Sequence, residues 1–207
     1  MTEQIKKTME ALSKNNMKPY FAETKEEAKE LALSLIAKGS SVTNGGGETL
    51  NEIGLLRAVK EGDYEYLDRS VNPEAMRDAF FADVYLSSTN AVTEDGLLYN
   101  VDGNSNRVAA LAFGPKEVII IVGKNKLVKN LQEATDRVRK IAAPKNTKRL
   151  NCETYCKETG HCVLEDGNEM GYGCKSAGRI CCNFLVSGQQ RFKDRTKVII
   201  VNEDLGY

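Results

Sequence analysis

The sequence has no excess of charge of either sign and no long apolar run. Lys and Arg together number 29, as do Asp and Glu, so the balanced charge gives no electrostatic reason to expect binding to nucleic acid or to an anionic membrane. No apolar stretch approaches the roughly 20 residues that a helix needs to cross a bilayer. Residues 1–16 have the pattern of an amphipathic helix and lack the apolar core of a signal peptide. We therefore predict a cytoplasmic protein with neither nucleic acid nor membrane as partner, whose cysteines are reduced, metal-bound or redox-active rather than paired in structural disulfides.

Apolar runs without polar alternation mark the strands of the predicted core. Residues 117–123, EVIIIVG, contain five consecutive β-branched apolar residues, and residues 197–206, KVIIVNEDLG, have the same character. Such runs favour parallel strands that are buried on both faces. Helical patterns lie between the apolar runs, and no internal repeat is present. The sequence therefore predicts a single α/β domain over residues 1–207, with an open, mainly parallel sheet and flanking helices.

Apolar spacing and capping signals predict the helices. Thr24 opens a capping-box pattern, and Gly39 is placed to end the helix that follows. Residues 48–62 form one helical pattern, and residues 127–141 form the most regular one, which Pro144 is expected to stop. Further helical patterns cover residues 3–16 and the stretch from Pro73 to Phe81.

The segment VTNGGGETLNE, residues 42–52, is the first candidate binding site. A strand, a glycine turn and a helix start in succession offer free backbone N–H groups and the positive end of a helix dipole, which bind phosphate or carboxylate. The segment has neither the Lys-Ser/Thr pair of a Walker A loop nor a GxGxxG pattern, so a tight turn without a ligand is the alternative. The candidate binding residues are Thr43, Asn44, Gly45, Gly46, Gly47 and Thr49.

The stretch NAVTEDGLLYNVDGNSNR, residues 90–107, is polar although it lies between two apolar, strand-like runs, DVYLSST and VAALAF. Ligands of open α/β sheets bind where strands end. Glu94 is therefore a candidate general base or nucleophile, and Arg107 is a candidate catalytic residue that pairs with an anionic substrate. The candidate substrate-binding residues of this stretch are Asn90, Asn100, Asp102 and Asn106.

These candidates predict one shared site. We expect residues 43–49, 90–95 and 100–107 to meet around one polar hollow that is open to water. The alternative is that the polar stretch contains only turn residues, at 94–96 and 102–104, together with structural asparagines.

Residues 151–183 hold all six cysteines and the only histidine, with few aliphatic side chains, and are predicted to be a cysteine-rich insertion before the last strand. The spacing is C152-x3-C156-x5-C162-x11-C174-x6-C181-C182. A segment with so little apolar material needs a cross-link to be ordered, and thiolates bound to zinc or an iron–sulfur cluster would provide it. The paired CxxC knuckles of many zinc sites are absent, so free thiols or disulfides formed after purification remain the alternative. We expect His161 to be a neighbour of this site and not a ligand.

Several segments resemble the LUD family of lactate-utilisation proteins. GGGETLNEIGL, DVYLSSTNAVTEDGLLYNVDGNSNRVAALAFGPKEVIIIVGKNKLV and RVRKIAAPKNTKRL carry the resemblance, which covers nearly the whole chain. The runs NA-x-TEDG, N-x-DG-x-x-NRV and GPK…VG-x-NK occur in this order. CKETGHC, CKSAGRIC and VIIVNEDLGY resemble a subset of the family with a cysteine-bearing tail. By that likeness, the metal-binding cysteines are Cys156, Cys162, Cys174 and Cys181, while Cys152 and Cys182 are extra.

The resemblance also implies a fold and a role. The implied fold is similar to that of the superfamily of sugar-phosphate isomerases and CoA transferases. The implied role is a link to the oxidation of lactate to pyruvate, in which a subunit with this domain works beside iron–sulfur partners. The resemblance assigns no catalytic residue.

Three functions are compatible with these observations. The first is an accessory or catalytic subunit of a 2-hydroxy-acid oxidation system, with iron–sulfur or dehydrogenase subunits as partners. The second is a stand-alone enzyme acting on a small anionic metabolite, such as a phosphosugar, an acyl-CoA or a folate. The third is an interaction module that senses metal or redox state through its cysteines. The sequence leaves open whether the protein forms a homo-oligomer.

Overall fold

The computed structural model describes residues 1–72, 75–164 and 171–207, which form two β-sheets with flanking helices. The strands are β1 (Lys18–Ala22), β2 (Ser41–Asn44), β3 (Glu65–Tyr66), β4 (Val84–Ser87), β5 (Ala91–Thr93), β6 (Leu98–Asp102), β7 (Glu117–Gly123), β8 (Leu127–Val128), β9 (Asn183–Ser187) and β10 (Thr196–Val201). The α-helices are α1 (Glu3–Lys14), α2 (Lys25–Ser34), α3 (Glu48–Glu52), α4 (Leu55–Glu61), α5 (Ala75–Asp78), α6 (Asn106–Phe113), α7 (Leu131–Arg137), α8 (Ala143–Leu150) and α9 (Tyr155–Thr159). In the part of the chain so described, no helix combines the length and hydropathy needed to span a membrane.

The larger sheet is parallel throughout and has the strand order β1-β10-β7-β4-β2-β3. Strands β7 and β10 lie side by side inside it, and residues 118–122 are all at most 1% exposed. The predicted α/β fold with a mainly parallel sheet is thus confirmed. Strand β1 was not predicted, because Pro19 suggested a break in the chain. An edge strand tolerates a proline, since only one of its sides is paired.

Two predicted helices begin where expected but end differently. The Thr24 side chain accepts a hydrogen bond from the Glu27 backbone N–H at 3.2 Å and caps α2, which ends at Ser34, five residues before Gly39. The single helix predicted over residues 48–62 is two helices. Gly54, in the left-handed region at φ 69°, separates α3 from α4.

The expectation that Pro144 stops a helix is wrong. The helical path continues from α7 through a π-helical turn at Val138–Ala142 and into α8, with Pro144 in the first turn of α8. A proline is tolerated there because its missing N–H would have no α-helical partner in a first turn. The run VAALAF is also helical, as part of α6, and not strand-like.

The smaller sheet has the order β8-β5-β6-β9 and provides one wall of the functional region. One of its faces shares a core cluster with β7, β10 and α1, through Val92 and Leu98 among others. The opposite face carries Tyr99 and packs with Ala134 and Val138 of the α7–α8 path. Strand β9 was not predicted; it pairs antiparallel with β6. The smaller sheet is therefore held between the parallel sheet and the α7–α8 path.

Residues 151–183 connect α8 to β9 and contain α9. They precede two strands, β9 and β10, and not only the last one. Gly178 approaches the chain at Glu153 so closely that an added Cβ would lie 2.6 Å from the Glu153 nitrogen. The two ends of the segment are thereby in contact. The predicted helix start at Pro73 and residues 165–170 of the cysteine segment lie outside the described residues.

Candidate functional site

A cavity of about 530 Å³ lies at the carboxyl ends of β2, β4 and β7. Each of these strands contributes a residue just beyond its end, namely Gly46, Ser88 and Lys126. Residues 101–107, α8 and residues 177–181 form the remaining walls together with Tyr207. The cavity therefore has the position at which open α/β sheets bind ligands.

Only two of the six candidate binding residues of the glycine-turn segment line the cavity. Gly46 and Gly47 line it, whereas Thr43, Asn44, Gly45 and Thr49 do not. Gly45 is required for packing, because a Cβ there would lie 2.8 Å from the Arg107 side chain and 2.9 Å from the Tyr85 hydroxyl. The two candidate residues in β2 make internal hydrogen bonds: the Thr43 hydroxyl donates to the Leu67 carbonyl, and Asn44 Oδ1 accepts from the Tyr66 hydroxyl.

Arg107 is held by a set of oxygen acceptors at the ends of β5 and β6. Its guanidinium donates to Asn100 Oδ1 at 2.6 Å, to Asn90 Oδ1 at 3.2 Å and to the Val101 carbonyl at 2.6 Å. Burial lowers the pKa of Arg107, and the nearby Asp102 carboxylate opposes this effect. The Asn100 side chain is buried away from the cavity, and its Nδ2 has no partner within the described residues. The structure therefore brings Asn90 and Arg107 together at the cavity, with Asn100 behind them.

Asp102 and Asn106 also line the cavity. Asp102 Oδ2 accepts hydrogen bonds from the backbone N–H groups of Arg107, at 2.8 Å, and Val108, at 3.1 Å. These N–H groups belong to the first turn of α6 and would otherwise lack acceptors. Asp102 therefore caps α6 and fixes the backbone of Arg107.

Glu94 is not part of the cavity. It lies in the turn between β5 and β6, where its carboxylate accepts from Lys7 Nζ at 2.7 Å and from Gln4 at 3.4 Å. The hydrogen bond from Lys7 is the main reason that the pKa of Glu94 falls below its ordinary value. The expectation that residues 90–95 converge as a unit on the hollow is wrong for Glu94, which contacts α1 instead. We do not retain it as a candidate catalytic residue.

Lys126 lies at the floor of the cavity and was not a sequence-based candidate. Its side chain is 3% exposed, and Nζ donates to Thr49 Oγ1 at 2.8 Å and to Ser88 Oγ at 3.1 Å. Burial, followed by the charge of Arg137, lowers the pKa of Lys126 from 10.5 to about 7. The available sequence signal was the run KNK, residues 124–126, directly after the strand predicted at 117–123.

Arg149 and Tyr207 form the outer part of the same cavity and were also missed. Arg149 Nε donates to the Tyr207 hydroxyl at 2.7 Å and lies 3.3 Å from Glu48 Oε1. The Tyr207 hydroxyl donates to Asn146 Oδ1 at 2.9 Å. A link between residues 58 positions apart in the chain has no local sequence signal.

A second, smaller cavity of about 30 Å³ lies behind this site and is lined by four cysteines together with Tyr99 and Phe184, among other residues. The four are Cys156, Cys162, Cys174 and Cys181, the set that the family resemblance implies. Burial, followed by the charges of the other three cysteines, raises the pKa of Cys181 to about 12. Within the described residues, no three Cys, His, Asp or Glu side chains are placed to hold one metal ion. His161 does not line this cavity; it contacts the Tyr155 ring edge-on.

The fold and this cavity define an α/β protein with a cavity at the carboxyl edge of a parallel sheet. The sequence model of the LUD domain matches residues 5–201, and the chain belongs to the LUD-domain family. No curated protein matches the chain.

Two solved structures are similar to the chain. The crystal structure of a DUF162 family protein from Deinococcus radiodurans has 14% sequence identity and a TM-score of 0.54, with 96% of each chain covered. At this identity the likeness shows a shared fold. Ribose 5-phosphate isomerase A from Methanocaldococcus jannaschii has 16% identity and a TM-score of 0.39, with 81% of this chain and 80% of the isomerase covered.

Proposed function

We propose that the 530 Å³ cavity binds a carboxylate-bearing metabolite of the 2-hydroxy-acid or 2-oxo-acid class, as part of a system that oxidises 2-hydroxy acids such as lactate. The observation that carries the proposal is the amine of Lys126 at the floor of the cavity. LUD-domain membership supports the link to lactate.

The charge of the cavity favours an anion. Among the described residues that line it, five side chains are cationic and two are carboxylates. Both carboxylates already have partners: Glu48 pairs with Arg149, and Asp102 caps α6. The net positive potential is therefore available to a ligand. The cationic side chains are Arg69, Arg107, Lys126, Arg149 and Arg179.

Lys126 supplies the group that recognises the acid. An ammonium has three N–H donors, and two of them go to Thr49 and Ser88. The third is available for a carboxylate oxygen. With a pKa of about 7, the amine also gains or loses a proton near neutral pH, so it can exchange a proton with a hydroxyl or carbonyl next to the carboxylate.

The size of the cavity supports a second candidate. A volume of about 530 Å³ exceeds what a three-carbon acid needs and is ordinary for a larger metabolite. A phosphosugar, an acyl-CoA or a folate would place its phosphate or carboxylate on the same cations. The ligands of both candidate functions would bind through an anionic group to the same cations, and they would differ in the rest of the molecule.

Calorimetric titration of the full chain tests the proposal. We expect lactate, glycolate and pyruvate to bind, and Lys126→Gln to weaken binding about tenfold or more, because a charge-assisted hydrogen bond is lost. Lys124→Gln is the matched control, since Lys124 lies in the same short turn but is exposed. Glu94→Gln should also leave the affinity unchanged.

The outcome distinguishes the candidates. Binding of ribose 5-phosphate or CoA, without binding of the hydroxy acids, would select the stand-alone enzyme. Binding that is equally weakened by Lys124→Gln and Lys126→Gln would contradict a site at Lys126. Co-purification of an iron–sulfur or dehydrogenase subunit from the native host would support a role within a larger system.

A further inference from the structure

We propose that Cys156, Cys162, Cys174 and Cys181 bind a [4Fe–4S] cluster in the cavity that they line. The proposal concerns a second site and does not depend on the ligand of the anion cavity. Cluster binding replaces the proton of each thiol with an Fe–S bond, so one proton is released per cysteine.

The first observation behind the proposal is that four of the six cysteines line one cavity. The four come from α9, from the segment after it and from the chain that leads into β9, yet all four line the same cavity of about 30 Å³. The other two lie elsewhere. Cys152 lines the anion cavity, and Cys182 is exposed, with its thiol directed to the Arg179 carbonyl. Convergence of residues up to 25 positions apart in sequence indicates a common ligand.

The arrangement fits a cluster better than a single ion. A structural zinc ion holds its four sulfur ligands at about 2.3 Å and usually takes them from closely spaced pairs. In the described residues no three such side chains surround one point, and 5, 11 and 6 residues lie between the successive cysteines. They line one cavity without converging on a single point, and in a [4Fe–4S] cluster each of the four thiolates binds a different iron atom.

Polar groups around the gap are placed to stabilise sulfur. The Thr154 hydroxyl lies 3.6 Å from Cys156 Sγ, and the Leu164 backbone N–H donates to Cys162 Sγ at 3.5 Å. The Thr147 hydroxyl is 3.4 Å from Cys156 Sγ but donates its hydrogen to the Pro144 carbonyl. Hydrogen bonds of this kind tune the reduction potential of a cluster.

The hydroxyl of Tyr99 is a further polar group at the cysteine cavity. Tyr99 is fully buried and lines the cysteine cavity, and its hydroxyl has no hydrogen-bond partner within the described residues. The nearby Thr135 hydroxyl donates to the Leu131 carbonyl and keeps lone pairs that can accept a weak hydrogen bond from Tyr99, which lowers the pKa of Tyr99. A sulfur atom of a cluster would accept this hydrogen bond.

Arg179 holds the cysteine loops in place. Its guanidinium donates to the carbonyls of Gly171, Cys174 and Cys181 at 3.3, 3.2 and 2.8 Å. Gly173 leaves room for this guanidinium, since a Cβ there would lie 2.8 Å from it and would displace it. The cation thus fixes two of the proposed ligands and offsets the negative charge of a thiolate-bound cluster.

Anaerobic purification of the full chain, with iron and sulfide analysis, tests the proposal directly. We expect a brown protein with about four iron and four sulfide per chain and an EPR signal after reduction by dithionite. Cys156→Ser and Cys174→Ser should lose most of the iron. Cys152→Ser and Cys182→Ser are matched controls that should keep it. Tyr99→Phe should keep the iron but shift the reduction potential.

Three outcomes would overturn the proposal. They are one zinc per chain in place of iron, no cluster after reconstitution of the full chain with iron and sulfide, and equal iron loss in all four cysteine variants. Circular dichroism of each variant identifies any that fail to fold, and reconstitution of the native chain decides the question without variants. Lys126→Gln should retain the cluster, so failure of the anion site and failure of the cluster site are distinguishable.

Discussion

At the scale of single residues, burial decides what the two lysines of one turn can do. Lys124 and Lys126 are two positions apart, but Lys124 is exposed and Lys126 is 3% exposed. Burial and the charge of Arg137 lower the pKa of Lys126 to about 7. Arg137 itself donates to the carbonyls of Asn125 and Asn90, and burial lowers its pKa to about 10. Two cations are thus kept close together beneath the anion cavity.

The buried amine makes stability depend on pH. In the unfolded chain Lys126 keeps its proton up to a pKa of 10.5, whereas in the folded chain it releases it near pH 7. The unfolded state binds more protons between these values, so the destabilising effect is complete below about pH 7 and disappears as the pH rises towards 10.5. Relative to Lys126→Met, the native protein should gain up to about 1.4 kcal/mol of unfolding free energy per pH unit in this window.

Urea denaturation of ligand-free protein at several pH values between 6 and 10 measures this difference. Lys124→Met is the control and should show no such trend. A gap between the native protein and Lys126→Met that stays constant across the range would show that the amine is not buried as described.

At the scale of elements, the β5–β6 hairpin separates two groups of polar residues. Asn90 and Asp102 lie at its open end, facing the carboxyl edge of the parallel sheet. Glu94 lies at its closed end, beyond the three residues of β5, which span about 10 Å. The closed end packs on α1, where the Asn15 side chain donates to the carbonyls of Asp95 and Gly96. The hairpin thus places Asn90 and Asp102 at the cavity and Glu94 at the opposite end, against α1.

The glycine of this turn provides a test of that packing. Gly96 has φ 79°, and an added Cβ would lie 2.7 Å from the α1 backbone at Ala11 and Leu12. Gly96→Ala should therefore lower the unfolding free energy by about 3 kcal/mol, from conformational strain and the clash together. Gly39→Ala is the matched variant, with φ 76° and no atom within 4 Å of its Cβ. It should cost about 1 kcal/mol. Equal losses in thermal or urea unfolding would rule out the contact with α1.

At the scale of the whole molecule, the two cavities share a wall. Arg179, Ile180 and Cys181 line both of them, as do Val138 and Ala143 on the α7–α8 path. The cysteine segment packs on the smaller sheet through Cys181, while the two core clusters that contain β7 and β10 include no described residue of this segment. Loosening of the cysteine segment would therefore affect the anion site but leave the main core intact.

A variant that cannot bind the proposed cluster should lose order in the cysteine segment and affinity at the anion site, while the main core stays intact. In Cys181→Ser, amide hydrogen exchange should become faster in the described parts of residues 151–183, while residues 117–123 and 196–201 keep their protection. Affinity for the anion should fall several-fold, because the shared wall is no longer fixed. Hydrogen-exchange mass spectrometry and calorimetry measure the two effects. Uniformly faster exchange across the chain would show instead that the segment is needed for the whole fold.

The sequence by itself determined the central strands and the starts of α1, α2 and α3, whereas the helix predicted from residue 127 begins at Leu131, after β8. Residues 117–123 and 196–201 are buried on both faces, which a continuous apolar run requires, and the Thr24 cap is a local hydrogen bond. Strands β1 and β9 could not be predicted, because each is defined by its partner strand and not by its own pattern. Pro144 was misjudged because a π-helical turn before it allows the helix to continue.

Only the tertiary structure decided which polar residues meet. Asn90, Glu94 and Arg107 lie within 18 residues of one another, yet the antiparallel hairpin places Glu94 at the opposite end from the other two. Lys126, Arg149 and Tyr207 reach the same cavity from distant parts of the chain. Local sequence determines burial and periodicity through short-range sterics and hydrophobicity. The composition of a site depends on strand order and packing, because these bring together side chains that are far apart in the sequence.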